Sequence, residues 1–424
     1  MKKQLIAVIG LAVISAPAFA TKARMIALGE NINDNIGSLY FSDSRNLFQN
    51  AAYINDYKNM IIMEWGSSGT KPATAPTDPA IKSDSDKYSQ AEGGFTASAG
   101  KYAYGLYLGA ESPYTNEIRS YTRSHSNEAF HQDNQIDAWF GGETTFKWGV
   151  NVTYSKSNDR ALGASQNSAS VRFGAIWEKL EAFANIAVAN EAKMNSLVVA
   201  GKEHFKGHNG YEAGATYNLD VVKVFGYLRH ASWAHEGMSP GATNATAYTG
   251  KFNGDYWLYQ VGAGKEHKLT DRATLFAKLE YLNFSREVDP KSGAATKKVN
   301  LDDWKAPLTI GMEYDASSWL TLRGSVVQNI VGQTDNDYNG QEAAISAGVL
   351  GKRPSGKRTI ANSTSVNAGM TLKFGNLSID GVIGTTANDG TLAGEGPVGT
   401  APKQKAGVLS LENLASRVAM TYRF

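Results

Sequence analysis

Two histidines in the segment "KEHFKGH" have a spacing that metal sites on helices use. His204 and His208 are four residues apart, so on a helix both imidazoles would point to the same side. The segment falls in a polar stretch between two strand-like segments, it contains no cysteine, and no third ligand is evident beside it. We therefore predict a solvated loop at this place and no metal site.

A basic cluster, "GKRPSGKR", carries four cations around a proline. These cations are Lys352, Arg353, Lys357 and Arg358. Ammonium and guanidinium groups bind phosphate oxygens through charge-assisted hydrogen bonds, so the cluster is one candidate for contact with the phosphates of lipopolysaccharide. The alternative, which we favour, is a solvated external loop that keeps the surface wet.

The sequence patterns for catalysis and nucleotide binding are weaker than the histidine pair and the basic cluster. The glycine-containing fragment "GAGKEHKL" follows no strand-to-helix transition, so it does not predict a phosphate loop. The serines and the seven histidines are scattered, and no serine, histidine and acid can be assigned to one rim of a fold. We predict that the protein is not an enzyme and that it needs no cofactor.

Charged residues that alternate with apolar ones form the most regular pattern of the chain. In "FKWGVNVTY" the positions from Phe146 to Tyr154 are apolar at every second residue, and Lys147 lies between them. The same alternation appears in "WKAPLTIGMEYD", in "SVNAGMTLKF" and in the final octet "RVAMTYRF". A period of two predicts strands with one apolar face, and aromatic residues lie at the ends of the apolar rows.

The charges on the other face of these strands are candidates for the lining of a pore. They are mixed in sign: Lys147, Arg172, Glu212, Glu266, Lys278, Glu280, Lys305, Glu313, Arg323, Lys373, Asp380, Arg417 and Arg423. A lining of mixed charge passes small polar solutes and only biases ion selectivity. The alternative for any one of them is an ordinary ion pair that holds the wall together.

The first twenty residues predict a cleavable signal peptide. Lys2 and Lys3 precede the apolar run "LIAVIGLAVIS", which is too short to span a bilayer, and "AFA" at 18–20 is a cleavage site. Without them the formal charge falls from +2 to about 0, so nothing predicts a nucleic-acid partner. The absence of cysteine excludes disulfides and a lipoprotein anchor. We expect an exported chain.

The chain divides into a segment 21–59 and a barrel 60–424. We predict sixteen strands, at 60–65, 92–99, 102–109, 135–142, 146–156, 168–178, 181–189, 210–218, 221–234, 255–267, 273–286, 304–315, 319–331, 363–374, 377–386 and 416–424. Short turns such as 100–101 and 375–376 alternate with long polar loops at 66–91, 110–134, 157–167, 190–209, 235–254, 287–303, 332–362 and 387–415. Short and long connections therefore lie at opposite ends of the strands.

This segregation predicts an all-β, antiparallel up-and-down barrel that spans the bacterial outer membrane, with short periplasmic turns and long external loops. Lipid cannot bond to exposed backbone groups, so a spanning sheet must close on itself and turn its apolar rows outwards. A barrel of about sixteen strands encloses water. We also expect the last strand to pair with the strand at 60–65.

In these features the chain resembles the general porins of outer membranes, including porin-like proteins of predatory and related δ-class bacteria. The resemblance implies a homotrimer in contact with lipid and lipopolysaccharide. It also implies that Tyr422 and Phe424, at the end of the last strand, are the signal for the barrel-assembly machinery. Porins narrow the pore with their third loop, but here the third loop, "SNDRALGASQN", is short and has Asp159 and Arg160 as its charges.

The segment 21–59 is similar to the N-terminal hatch of outer-membrane fatty-acid channels. Arg24, Ala27 and Gly29 match the start of that pattern, Asp43 its acidic part and 50–52 its end, where Ala51 replaces the usual proline. We expect this segment, or the loop 66–91, to constrict the pore.

The function predicted from sequence is a porin for passive diffusion of small hydrophilic solutes and ions. The alternatives are a channel for apolar substrates with 21–59 as its plug, and a barrel whose role is structural or lies in surface interactions.

Overall fold

The computed structural model describes residues 21–30, 37–66, 90–110, 132, 135–160, 163–195, 202–238, 249–291, 298–337, 356–359, 364–385 and 414–424. The predicted signal peptide, Lys352, Arg353 and most of the predicted loops 66–91, 110–134, 332–362 and 387–415 lie outside the described residues. No helix in the described ranges is long and apolar enough to cross a membrane.

Three short helical turns precede the first strand. They are the helix α1, Lys22–Ala27, and the 3-10 turns Ser44–Phe48 and Ala51–Asn55. The strands are β1 (Met60–Gly66), β2 (Gln90–Ala99), β3 (Tyr102–Leu108), β4 (Ile136–Glu143), β5 (Lys147–Asp159), β6 (Ala164–Trp177), β7 (Leu180–Asn195), β8 (Lys202–Asn218), β9 (Lys223–Met238), β10 (Thr249–Lys268), β11 (Ala273–Pro290), β12 (Val299–Asp315), β13 (Leu320–Asp337), β14 (Gly356–Thr359), β15 (Thr364–Phe374), β16 (Leu377–Thr385) and β17 (Leu414–Arg423).

The strands form one closed antiparallel barrel, which confirms the predicted fold. Each strand pairs with its sequence neighbours, and β1 pairs with both β2 and β17. The seam between first and last strands runs from Met60 opposite Arg423 to Gly66 opposite Arg417, as expected from the sequence. The short β14 pairs with the far end of β13 and continues the line of β15, so the wall has sixteen positions.

At one end of the barrel, short turns connect consecutive strands. Residues 100–101, 178–179 and 375–376, for example, connect β2 to β3, β6 to β7 and β15 to β16. Gly100, Glu178 and Gly375 have positive φ angles in these turns. Such angles let a two-residue turn follow the twist of the strands that flank it.

The predicted boundaries at the other end of the barrel are wrong for several strands. The ladder between β7 and β8 extends to Asn195 and Lys202, β10 begins at Thr249, and β5 and β6 leave only 160–163 between them. His204 and His208 consequently lie in β8, not in a loop, and His204 Nε2 is 2.7 Å from Glu191 Oε1. The hydrogen-bonded ladder continues beyond the last apolar residue of the outer face. The alternation of apolar and polar residues in the sequence therefore predicts the edge of the apolar belt, and the strand itself is longer.

The two faces of the wall have the predicted polarity. On β5, Val152 and Tyr154 point outwards and are 50% and 49% exposed, whereas Asn151 and Thr153 are buried inside. Phe424 is 60% exposed on the outer surface. The outer face is therefore an apolar belt, and the interior holds the polar side chains.

Residues 21–30 and 37–59 lie inside the barrel. We call these residues the plug. Its Leu47, Phe48 and Ile54 form a buried cluster with Tyr107 of β3 and Trp139 of β4, and the Trp139 indole donates to the Leu47 carbonyl at 3.2 Å. The interior of the barrel is thus a packed core at this level.

Candidate functional site

The site is the lumen where the plug meets the wall. Thr21 caps the N-terminus of helix α1. Its hydroxyl accepts a hydrogen bond from the Arg24 backbone and donates to Asp380 on β16 at 3.3 Å. The capping oxygen satisfies one of the free N–H groups of the first turn. The start of the plug is thereby held on the strand next to β17.

Arg24 links the plug to β12. Its Nε donates to Glu313 at 3.0 Å and its Nη1 to Asp43 at 3.1 Å. Glu313 also accepts from Arg323, and Arg323 donates to Asp380 at 3.0 Å. These five side chains alternate in charge, so each buried ion has a partner of opposite sign.

A second ion cluster lies beside the seam. Lys22 Nζ is 2.5 Å from Glu92, and its backbone N–H donates to Glu64 at 3.0 Å. Arg45 Nη1 lies 3.5 Å from Glu92 and 3.6 Å from Glu64. Glu64 belongs to β1 and Glu92 to β2. The plug therefore neutralises two buried carboxylates on the first two strands.

Further contacts bind the plug at Glu30 and near its C-terminal end. Glu30 accepts from Lys278 on β11 at 2.8 Å, and Lys278 is also 2.9 Å from Glu280. Near β1, Asp56 is paired with Lys147 on β5. The plug is bound to strands on several sides of the barrel.

Burial shifts the pKa of plug groups in the direction of the neutral form. It raises the pKa of Asp43 to about 6, although Arg24 acts against the shift. Burial also raises the pKa of Glu30 and lowers that of Lys22, while Lys278 and Glu92, respectively, oppose these changes. Desolvation is the largest cause in each case.

Glycines form the floor on which the second 3-10 turn rests. Gly141, Gly149 and Gly174 are cross-strand partners on β4, β5 and β6. A Cβ on Gly149 would overlap the Ala51 carbonyl, and one on Gly174 would overlap the Asn50 amide. The wall lacks side chains at the place where the plug backbone touches it.

An apolar column runs along the inner face from β7 to β11. It begins at the plug, where Phe41 packs edge-to-face on Phe276 with ring centroids 5.4 Å apart. We define the apolar column as these interior residues of one buried cluster: Phe183, Phe205, Phe225, Tyr227, Trp233, Tyr256, Leu258, Phe276 and Leu282, together with Leu39, Tyr40 and Phe41 of the plug. Along β9 and β10 it rises from Phe225 to Trp233, towards the end with the long connections.

The charges predicted from sequence lie on the inner face. Lys147, Lys278 and Glu313 bind the plug. Others pair within the wall: Arg172 with Asp137, Glu212 with Arg229, Glu280 with Lys278, Arg323 with Asp380, and Lys373 with Asp315. Glu266, Lys305, Arg417 and Arg423 take inward positions in the alternation of their strands. Their role in lining a pore stays a prediction.

Glu64 and Glu92, which bind the plug, and the apolar column were not predicted from the sequence. Glu64 and Glu92 lie on the two strands with the thinnest alternation, so their inward direction gave little signal. The column residues alternate with the outer row on the same strands, so both faces of β9 and β10 are apolar in part. Among the described residues, no group of His, Asp and Glu side chains is arranged to hold a metal ion.

No protein-family model and no curated protein matches the chain. Among solved structures, the toluene transporter TbuX of Ralstonia pickettii is 12% identical with a TM-score of 0.38, over 97% of this chain and 99% of that one. The monoaromatic hydrocarbon channel CymD is 12% identical with a TM-score of 0.38, over 94% and 96%. OmpT, an outer membrane protein of Vibrio cholerae, is 11% identical with a TM-score of 0.34, over 86% and 95%. Values this low carry no inference about function.

Proposed function

We propose that the protein is an outer-membrane channel for small, uncharged apolar solutes, and that residues 21–59 are its plug. The apolar belt on the outer wall needs lipid around it, and a closed sheet satisfies every strand ladder within lipid. The short turns then face the periplasm and the long connections face outwards. In this orientation the plug lies on the path through the barrel.

The observation that carries the proposal is the continuity of the apolar column with the plug. Phe41 and Tyr40 of the plug belong to the same buried cluster as Trp233 and Tyr256 of the wall. An apolar solute gains about 25 cal/mol for each Å² of surface that such groups remove from water, whereas a hydrated sugar or ion gains nothing there. The column thus favours the solutes that a polar pore excludes.

Release of the solute would require movement of part of the plug. The residues Leu39–Phe41 hold the plug end of the column. The ion pairs of Lys22 and Arg24 lie on α1, those of Arg45 lie on the first 3-10 turn, and the glycine contact lies on the second 3-10 turn. A local shift of the aromatic part opens the lower end of the column and leaves those anchors in place.

The hydrophilic porin predicted from sequence is the second candidate. Its support is the interior band of mixed charge, including Arg172, Asp137, Glu212 and Arg229. Arg172 pairs with Asp137, Arg229 pairs with Glu212, and all four side chains are buried. A network of ion pairs that stabilises the wall therefore accounts for them as well as a pore lining does. The trimer, the lipopolysaccharide contact of the basic cluster and the assembly role of Tyr422 and Phe424 remain predictions.

Uptake across intact outer membranes tests the proposal. Cells that express the protein should take up a radiolabelled monoaromatic hydrocarbon several-fold faster than cells without it, while arabinose uptake stays unchanged. Leu258→Glu, which puts a charge in the column, should abolish the gain. Val261→Glu is the matched control for an added charge on the outer face of the same strand, provided that it inserts into the membrane.

Planar-bilayer conductance separates the two candidates. The plugged channel predicts a small conductance that rises on deletion of 21–59. A large conductance with the plug intact, together with no hydrocarbon uptake, would favour the hydrophilic porin.

A further inference from the structure

Gln260 is a polar residue in the middle of the apolar column. It lies on β10, where its ladder partners are Tyr227 of β9 and Leu282 of β11, and Leu258 is two residues away on the same face. All three neighbours belong to the buried cluster of the column. Gln260 is 1% exposed, so its amide group is removed from water. A buried amide is costly unless its polar atoms form hydrogen bonds.

One atom of the Gln260 amide is held by the wall and the other is open. Nε2 donates to Glu280 Oε2 at 2.5 Å, and Glu280 Oε1 lies 2.9 Å from Lys278 Nζ. Because a carboxylate can only accept, the amide nitrogen faces Glu280 and the amide oxygen points away from it. Among the described residues, none donates a hydrogen bond to the buried Gln260 Oε1. The column therefore contains an acceptor with a fixed orientation and an open lone pair.

Two further polar groups border the column. Asn185 follows Phe183 by two residues on the inner face of β7 and is fully buried. Tyr40, at the plug end of the column, is 2% exposed and packs on Phe41 with ring centroids 4.9 Å apart. In the part of the chain that the structure describes, neither the Asn185 amide nor the Tyr40 hydroxyl has a hydrogen-bond partner. Both groups can donate as well as accept, so the column offers donors and an acceptor to a solute.

We propose that the column selects apolar solutes that carry one neutral hydroxyl group, such as phenols, over pure hydrocarbons. The hydroxyl donates to Gln260 Oε1, and its oxygen accepts from Asn185 or Tyr40 at other points of the path. The ring of the solute contacts the apolar side chains of the column. The inference rests on the proposed function and adds the chemical class of its solute.

Other classes of solute fit these groups less well. A carboxylate has no proton to donate to Gln260 Oε1, and an ammonium ion would lose its hydration on entering an apolar column. A hydrocarbon enters but leaves the buried acceptor without a donor. Sites that hydrogen-bond a hydroxyl discriminate in this way against analogues that lack it.

Phenol and toluene test the inference, because they share one ring and differ by a hydroxyl in place of a methyl group. A column of apolar groups alone favours toluene, since phenol gives up its hydrogen bonds to water on entry. Cells that express the full chain are compared with cells that lack it, and the protein-dependent uptake rate is measured for each radiolabelled solute at equal concentration. For the wild type, we expect the phenol rate to exceed the toluene rate about fivefold, which is the effect of one net hydrogen bond.

Two variants remove one polar group each. Gln260→Met removes the acceptor, keeps an unbranched side chain and should invert the preference, so that the toluene rate exceeds the phenol rate. Tyr40→Phe removes a single hydroxyl and should lower the ratio of the phenol rate to the toluene rate in the same direction.

The matched control is Gln135→Met. Gln135 is 2% exposed, and its Nε2 also donates to a carboxylate, Asp137, at 2.6 Å. Its oxygen differs from that of Gln260 because it accepts from Gln132 at 2.7 Å. This variant should keep the wild-type ratio of the two rates.

The outcomes separate this inference from the channel proposal. If both solutes enter faster than in cells without the protein, but toluene at least as fast as phenol, the inference is overturned and the channel proposal stands. A wild-type ratio in folded Gln260→Met protein would also overturn it. If neither solute enters faster, both proposals fail. Mobility of unheated samples in electrophoresis verifies folding, and a ratio of two rates within one variant does not depend on the amount of protein.

Discussion

Arg24 of the plug and Glu313 of β12 are joined by a 3.0 Å hydrogen bond from Nε to Oε2, and the same oxygen accepts from Arg323. Glu313 on β12 therefore connects the plug to the wall network, beside the contact of Thr21 with Asp380. This relationship predicts what removal of the plug cation would do.

Arg24→Met should loosen the plug. Asp43 would remain buried without its guanidinium partner, and loss of one member of a buried pair costs about 3–5 kcal/mol. The chain has no cysteine, so Ser44→Cys, at a buried plug position, provides a single thiol for maleimide labelling. We expect labelling to accelerate at least tenfold in the Arg24→Met background. Equal rates in both backgrounds would show that Arg24 does not hold the plug.

Gly149→Val should prevent the plug from seating. A side chain at this position would meet the Ala51 carbonyl, and overpacking of this kind costs about 1–3 kcal/mol or more. Gly381→Val is the control, since nothing lies within 4 Å of a Cβ there. The conductance of the Gly149 variant should exceed that of the wild type, and the Gly381 variant should match the wild type.

Lys22→Met should weaken the seam as well as the plug. Glu92 and Glu64 would keep a single plug cation, Arg45, between them. The temperature at which the barrel unfolds in electrophoresis should fall. Adding Glu92→Gln to Lys22→Met should recover part of the loss, because the double variant leaves fewer unpaired charges. If the two losses simply add, Lys22 and Glu92 are not coupled.

The docked plug should be more stable in mild acid. The pKa of Asp43 is about 6 in the plug, against an ordinary value of 3.8, so the docked state binds a proton more tightly than the released state. The contribution of Asp43 to the stability of the docked plug has its full value below pH 3.8 and is lost as the pH rises through about 6. The urea midpoint for plug release, followed by near-ultraviolet circular dichroism, should fall over this range. Asp43→Asn should flatten the dependence relative to the wild type.

The barrel was predictable because alternate residues of each strand form the two faces of the wall. Val152 and Asn151 need no long-range information to be assigned to lipid and to the interior, and the seam of β1 with β17 follows once the sheet must close. The strand ends were not predictable, since β10 continues to Thr249 where its outer face is no longer apolar.

The site was harder to predict than the wall. The pairing of Arg24 with Glu313 depends on how a segment without alternation folds back inside the barrel. The matching of Gly141, Gly149 and Gly174 requires the register of three strands. Each is a long-range relationship, for which a single sequence carries no local periodic signal.

The contact between Thr21 and Asp380 spans 359 positions of the chain. Contacts this distant in sequence cannot form until the intervening strands have taken their places, because the entropy of closing so large a loop is otherwise uncompensated. The contact of α1 with β16 therefore waits for the last strands of the barrel, as does the seam of β1 with β17. Until β16 has taken its place, α1 lacks this anchor to the wall.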